Sequence, residues 1–217
     1  MSDVKSPFVI GLCGRSGSGK SFVSRLFELE GVPSVDTDAV YREMTAPAKD
    51  GVLSDCMKEL AEEFGDGILK DDLSLNRPAL AEIVFADGAK DRLARLNEIT
   101  HKHILAETDR KIECYAKEGK FAVIVDAPLL FESGYNEKCD YIVAASAPED
   151  VLASRIMSRD GIDRDGALRR LRTQLSDEAL RERADFVIET NENSEILRLR
   201  VKEILSQMAL RLKGNCE

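Results

Sequence analysis

Gly14-Arg15-Ser16-Gly17-Ser18-Gly19-Lys20-Ser21 is the stretch on which the reading of this chain turns. Before it, Phe8-Val9-Ile10-Gly11-Leu12-Cys13 is short and apolar, as a buried strand is. After it, Phe22-Val23-Ser24-Arg25-Leu26-Phe27 has helical apolar spacing. The glycine-rich turn thus falls between a strand and a helix, the context that the phosphate-binding pattern G-x-x-x-x-G-K-[ST] requires. Glycines let successive backbone N–H groups point into one concavity, and the helix N-terminus adds partial positive charge. Gly17, Ser18, Gly19 and Lys20 are then expected to hold the phosphates of a nucleotide. Lys20 reaches the β- and γ-phosphates, and the Ser21 hydroxyl holds Mg²⁺.

The totals suit such a reading. At 217 residues the chain has length for one medium domain with a real core. No apolar run approaches the ~20 residues that span a bilayer, and Met1-Ser2-Asp3-Val4-Lys5 lacks the apolar segment of a signal peptide. No membrane association is expected. Cys13, Cys56, Cys114, Cys139 and Cys216 are scattered without a C-x-x-C pair, which fits reduced thiols in a cytoplasm. A net charge of -9 argues against a nucleic-acid-coating surface. An anionic substrate must therefore meet a local concentration of positive charge.

Further along, Gly31-Val32-Pro33 ends the first helix, and Ser34-Val35-Asp36-Thr37-Asp38 reads as a strand ending in two carboxylates. Residues two apart in extended backbone share a side, so Asp36 and Asp38 can converge on one space. An acid there can take the proton of an attacking hydroxyl. Asp38 also directly precedes a helix beginning near Ala39, so capping and catalysis compete for it. From about Ala48 to Gly119 no buried strand is evident. Asp55 to Phe64 and Asp87 to Lys117 read as amphipathic helices, separated by Gly65-Asp66-Gly67 and a turn-rich Lys70 to Pro78. This is longer than a crossover between parallel strands needs, which points to an inserted helical subdomain. His101 and His103, at i and i+2, do not share a helix face and make a poor metal pair.

Phe121-Ala122-Val123-Ile124-Val125-Asp126 is apolar throughout, as central parallel strands are, and ends in an acid that suits the ordering of Mg²⁺ or its waters. Tyr141 to Ser146 is a fourth strand, and Pro148 suits the first turn of a helix running to about Arg159. Between Ser154 and Arg183 stand Arg155, Arg159, Arg164, Arg169, Arg170, Arg172, Arg181 and Arg183, with no lysine. Arginine's planar fork suits phosphate oxygens and the developing charge of phosphoryl transfer. Arg155 and Arg159 share a helix face, and the segment stands where a nucleotide kinase carries its mobile lid. Ala184 to Glu189 is a fifth strand. Ser194 to Leu212 is a helix with Leu197, Val201, Ile204, Leu205, Met208 and Leu212 on one face.

The predicted fold is α/β, a parallel five-stranded sheet flanked by helices in the manner of phosphate-loop nucleotide kinases. One domain spans 1–217, with its core at 7–47, 119–153 and 184–217. The helical insertion covers 48–118 and holds the acceptor substrate; the arginine-rich lid covers 154–183.

Six stretches in order resemble the dephospho-coenzyme A kinase family. They are Ile10-Gly11-Leu12 leading into the loop, Gly31 to Asp38, Leu80-Ala81-Glu82-Ile83-Val84-Phe85, Leu96-Asn97-Glu98-Ile99-Thr100-His101, Asp126 to Gly134, and Arg155-Ile156-Met157-Ser158-Arg159-Asp160. The resemblance implies ATP-dependent phosphorylation of the ribose 3′-hydroxyl of dephospho-CoA, with Asp38 as base and Arg155 meeting the transferring phosphate. It implies acceptor contacts at Arg77, His101, Leu129 and Glu132, nucleotide contacts at Phe22 and Asn191, and metal contacts at Ser21 and Asp126. A monomer or weak homo-oligomer is expected. Three positions depart from the family pattern. Arg15-Ser16 replaces Gly-Ile, with Arg15 free to add a phosphate contact. Phe22 replaces a threonine whose hydroxyl reaches the α-phosphate, an expected loss of ATP affinity. Lys102 stands where a proline follows His101.

The same loop, paired acids and arginines would also serve a kinase for another nucleoside or nucleotide acceptor. A guanine-nucleotide switch would need N-K-x-D, which Asn136-Glu137-Lys138-Cys139-Asp140 does not supply.

Overall fold

The computed structural model describes residues 6–48, 50–86 and 88–214, with side chains as far as Arg211. The expectations resting on Met1 to Lys5, the helix start at Asp87, the Leu212 side chain and Cys216 lie outside the described residues.

The apolar runs become five strands: β1 (Phe8–Cys13), β2 (Ser34–Asp36), β3 (Ala122–Asp126), β4 (Tyr141–Ser146) and β5 (Phe186–Glu189). They form one parallel sheet in the order β2-β3-β1-β4-β5. β1 lies between β3, with Leu12 opposite Asp126, and β4, with Cys13 opposite Ala144. Ser146 stands opposite Glu189 in the β4–β5 pair. These registers bring the carboxyl ends of β1, β3, β4 and β5 to a common edge. The chain leaves β1 toward β2 on one side and later builds β4 on the other. The loop after β1 therefore sits at the switch point of the strand order, where open α/β sheets bind ligands.

In chain order the longer helices are α1 (Lys20–Leu29), α2 (Thr37–Met44), α3 (Asp55–Phe64), α4 (Arg77–Val84), α5 (Lys90–Lys117), α6 (Glu149–Asp160), α7 (Arg164–Arg172), α8 (Asp177–Arg183) and α9 (Ser194–Gly214). Val23, Leu26 and Phe27 of α1 and Leu197, Val201, Ile204 and Met208 of α9 pack on Ile10, Leu12, Ile124, Val143 and Ile188 of the sheet. Each such side chain contributes about 1.5–3 kcal/mol by leaving water. α6 and α7 form a smaller core of their own from Leu152, Ala153, Ile156, Ala167 and Leu171.

The chain divides into two compact units, 1–35 with 112–217 and 36–111. The second is a helical cluster around Cys56, Met57, Leu60, Ile68, Leu80 and Ile99. Its helix α4 was not anticipated, because Lys70 to Pro78 reads as turn. Asn76 caps α4 by accepting from the Ala79 N–H (3.3 Å), and Pro78 stands in its first turn, where a missing N–H costs nothing.

The expected strand through Asp38 is corrected. β2 stops at Asp36, whose carboxylate accepts from the Asp38 N–H (2.8 Å) and the Ala39 N–H (3.1 Å) and so turns the chain into α2. Asp36 and Asp38 are not two side chains on one face of a strand. Asp36 is the N-cap and Asp38 a first-turn residue of the helix.

Candidate active site

The loop Gly14–Ser21 wraps the N-terminus of α1, with Gly19 in the left-handed region at φ 82°. Gly17 sits at φ 78°, and a Cβ there would stand 2.7 Å from the Leu152 carbonyl oxygen of α6. A Cβ on Gly14 would meet the Ala145 carbonyl at 2.5 Å. Neither position accommodates a side chain without moving backbone. Among the described residues, no acceptor meets the backbone N–H of Gly17, Gly19, Lys20 or Ser21. Such a set of amides at the positive end of a helix is a site for an anion. Inside the curl, the Ser18 hydroxyl is 1% exposed and has no hydrogen-bond partner.

Two residues brace the loop from behind. Thr190, just beyond β5, is buried, and its hydroxyl donates to the Ser18 carbonyl (2.6 Å) with the Ser146 carbonyl 3.1 Å away. The guanidinium of Arg155 on α6 donates through Nη1 to the Gly17 carbonyl (3.1 Å) and the Thr190 hydroxyl (2.9 Å), and through Nη2 to the Thr190 carbonyl (2.8 Å). Carbonyls held from behind leave the amides of the same curl turned the other way. Thr190→Val keeps the shape but strands buried polar groups, each costing about 1–3 kcal/mol. Calorimetry should show affinity of the loop for a polyphosphate about tenfold lower.

Lys20 Nζ donates to Asp126 Oδ1 at the end of β3 (2.6 Å), and both side chains are mostly buried. This carboxylate holds the lysine head at the mouth of the loop. Ser21 is exposed in the first turn of α1, and Phe22 is 43% exposed. Asn191 is exposed in the turn after Thr190. Leu129, 51% exposed, and Glu132 border a cavity of about 60 Å³ with Gly14, Arg15, Gln174 and Leu180. That volume is far too small for a nucleotide. Burial pushes the Cys13 thiol at the end of β1 up to about 12, so it is protonated and unreactive at neutral pH.

The arginine run divides by role. Arg159 forks onto Asp160 (2.7 and 2.9 Å), and Arg170 reaches the same carboxylate (2.6 Å), which holds the Asp160 carboxyl below its ordinary range. Arg181 pairs with Asp177 and with Glu189 (2.6 Å) and donates to the Ser146 hydroxyl. Arg15 is not turned to the phosphates as expected. It is 11% exposed at the side chain and donates to the Leu171 carbonyl (3.0 Å), the place that charge finds at the carboxyl end of α7.

In the second unit the Asp38 carboxylate is exposed and has no hydrogen bond or ion pair among the described residues. Capping falls to Asp36, which leaves Asp38 available. Arg77 lies over the Tyr41 ring, 5.5 Å from its centroid. His101 is half-buried, while His103 meets Glu59 at 2.7 Å. Lys102 and His103 together hold the Glu59 carboxyl below its usual range. Thr190 was invisible in the sequence because one threonine beyond a strand carries no signature. The same holds for Gln174, whose amide meets Ser16.

A parallel sheet whose central strand leads into an amide-lined loop with a lysine at the mouth defines a phosphate-loop nucleotide-binding protein. The family model described as dephospho-CoA kinase matches residues 8–196. The protein named dephospho-CoA kinase in Corynebacterium efficiens is 35% identical over 204 residues, covering 94% of this chain and 98% of that one. Its namesake in Listeria monocytogenes is 36% identical over 186 residues, covering 86% and 90%. The chain belongs to the dephospho-CoA kinase family. Among solved structures, that of a Thermus thermophilus protein superposes with a TM-score of 0.76 at 30% identity, covering 94% and 98%. The dephospho-CoA kinase of Campylobacter jejuni gives 0.66 at 26%, covering 95% and 98%. A shikimate kinase from Acinetobacter baumannii, at 0.53 and 20% identity, shares the fold.

Proposed function

We infer that this protein transfers the γ-phosphoryl group of ATP to the ribose 3′-hydroxyl of dephospho-CoA, giving CoA and ADP, the last step of CoA synthesis. The observation that carries the reading is the curl of unpaired amides at Gly17, Gly19, Lys20 and Ser21 with Lys20 at its mouth.

Phosphoryl transfer asks a protein chiefly for positioning and neutralised charge. The amides hold the β- and γ-phosphates. Lys20 gives up Asp126 and moves onto them. Asp38 takes the proton of the 3′-hydroxyl as it attacks. Arg155 keeps the loop in shape and lays its charge beside it, and Phe22 and Asn191 border the nucleotide. Arg77, His101, Leu129 and Glu132 contact the acceptor.

Mg²⁺ fits the donors present. Ser21 and Asp126 supply the hard oxygens it favours, and phosphate oxygens and water would complete its shell, since no cluster of three metal-ligating side chains exists among the described residues. When bound, the ion neutralises charge on the transferring group.

The protein works in the cytoplasm as a monomer or weak homo-oligomer. Incubation with ATP, Mg²⁺ and dephospho-CoA should add about 80 Da, one phosphate, to the acceptor by mass spectrometry. A gain on nucleosides with none on dephospho-CoA would replace this acceptor with another.

A further inference from the structure

Arg15 and Ser16, at the head of the phosphate loop, turn their polar groups toward the connection between α7 and α8. The Ser16 N–H donates to Gln174 Oε1 (2.9 Å), and Gln174 Nε2 donates to the Ser16 hydroxyl (3.3 Å). The amide orientation follows from the first bond, since a backbone N–H must face the oxygen. Arg15 Nη2 donates to the Leu171 carbonyl (3.0 Å), and Nη1 lies 3.6 Å from Glu149. Leu171 stands in the last turn of α7, where helix carbonyls lack partners, and the Gln174 N–H shares that carbonyl (3.2 Å). The loop thus caps the helix, and the residue that follows the helix caps the loop.

We propose that Gln174 and Arg15 are positioning residues that clasp the α7–α8 turn onto the phosphate loop, so that phosphates in the loop and order in the turn are coupled. Ser16 is one residue before Gly17, one of the unpaired amides of the curl. The Gly17 amide lies in the next peptide plane, joined to the plane of the Ser16 N–H only at the Ser16 Cα, so the bond to Gln174 fixes one side of the hinge on which that amide is aimed. The turn is short, from Thr173 to Ser176, and is pinned at its start by Leu171, buried in the α6–α7 core. A displacement of the loop is therefore passed to a segment that carries Arg169, Arg170 and Arg172. Coupling is reciprocal. A turn held in place favours the phosphate-bound loop, and a phosphate-bound loop orders the turn.

The proposal rests on the loop binding nucleotide, and the test separates the two. Hydrogen exchange would be followed by mass spectrometry with and without ADP in the parent, in Gln174→Leu, which fills the space but cannot bond, and in Arg15→Met, which keeps the stem and loses the fork. In the parent, ADP should slow exchange in both 14–22 and 171–178. In either variant ADP should still slow exchange in 14–22, while the effect on 171–178 is reduced about tenfold. KM for ATP should rise about tenfold with kcat within about threefold. No ADP effect on 14–22 in the parent would overturn the nucleotide reading itself. Protection of 14–22 alone in the parent, or of both segments in both variants at parental KM, would overturn the clasp. Arg15→Met carries the test if Gln174→Leu does not fold.

Discussion

Asp38→Asn should lower kcat by ~10²–10⁴ while ATP still binds, the range expected when a positioned general base is removed. The substitution is nearly isosteric. It falls on an exposed side chain in the first turn of α2 that has no hydrogen bond or ion pair among the described residues. The cap is made by Asp36 through the Asp38 and Ala39 amides, so the helix loses only the small favourable term of a first-turn negative charge. Stability should therefore stay within about 0.5 kcal/mol of the parent, and thermal melting would check this. Asp36→Ala is the complementary variant. It removes the cap at a cost of about 1 kcal/mol, yet kcat should fall less than about threefold. A loss of turnover confined to Asp38→Asn assigns the base. Parental turnover in Asp38→Asn would remove Asp38 from the role of base.

The contrast between those two aspartates shows which parts of the chain could be read in advance. Alternation places residues, but a cap overrides it. The run Ser34-Val35-Asp36-Thr37-Asp38 alternates like a strand, yet a carboxylate that can accept from two amides ahead of it converts the last two residues to helix. The loop itself was legible, because only a glycine-rich turn between an apolar run and an amphipathic one can aim several amides at one point. The three inner strands β1, β3 and β4 were legible for a related reason: strands buried on both faces read as near-continuous apolar runs. Helix α4 was obscured by Asn76 and Pro78, which mark a turn and a helix start equally well. The partners of the loop were least legible of all. Thr190, Gln174 and the Leu171 carbonyl lie some 150 residues or more from the groups they hold. Contacts of that span depend on where the strand ends meet, which no local pattern encodes. The arginines showed this most clearly, since Arg155 braces the loop, Arg15 caps a helix and Arg159 makes an ordinary surface ion pair.

Arg155→Lys should lower kcat/KM by about 10²-fold although the charge is kept. The three bonds of this guanidinium reach a carbonyl of the loop, a hydroxyl and a carbonyl of Thr190 from two different nitrogens. A single ammonium at the end of a flexible stem cannot stand at both places. Hydrogen bonds to a charged group contribute about 1.5–3 kcal/mol each, so losing one or two of them accounts for the expected factor. The effect should fall on KM for ATP as well as on kcat, because the Gly17 carbonyl would lose its restraint before any chemistry begins. Arg159→Lys is the matched comparison: Arg159 sits one turn along α6 and forks onto Asp160, away from the loop, so activity should stay within about twofold. The shared partner supplies a sharper criterion. Thr190 and Arg155 hold the same loop through each other, so their substitutions should not add. Arg155→Lys with Thr190→Val should fall short of the product of the two single losses, since the bond between the two is lost only once while the bond from Thr190 to the Ser18 carbonyl is lost in addition. Fully additive losses would mean that Arg155 acts on the phosphates by a route independent of the brace. Activity of Arg155→Lys within about twofold of the parent would remove the residue from the site.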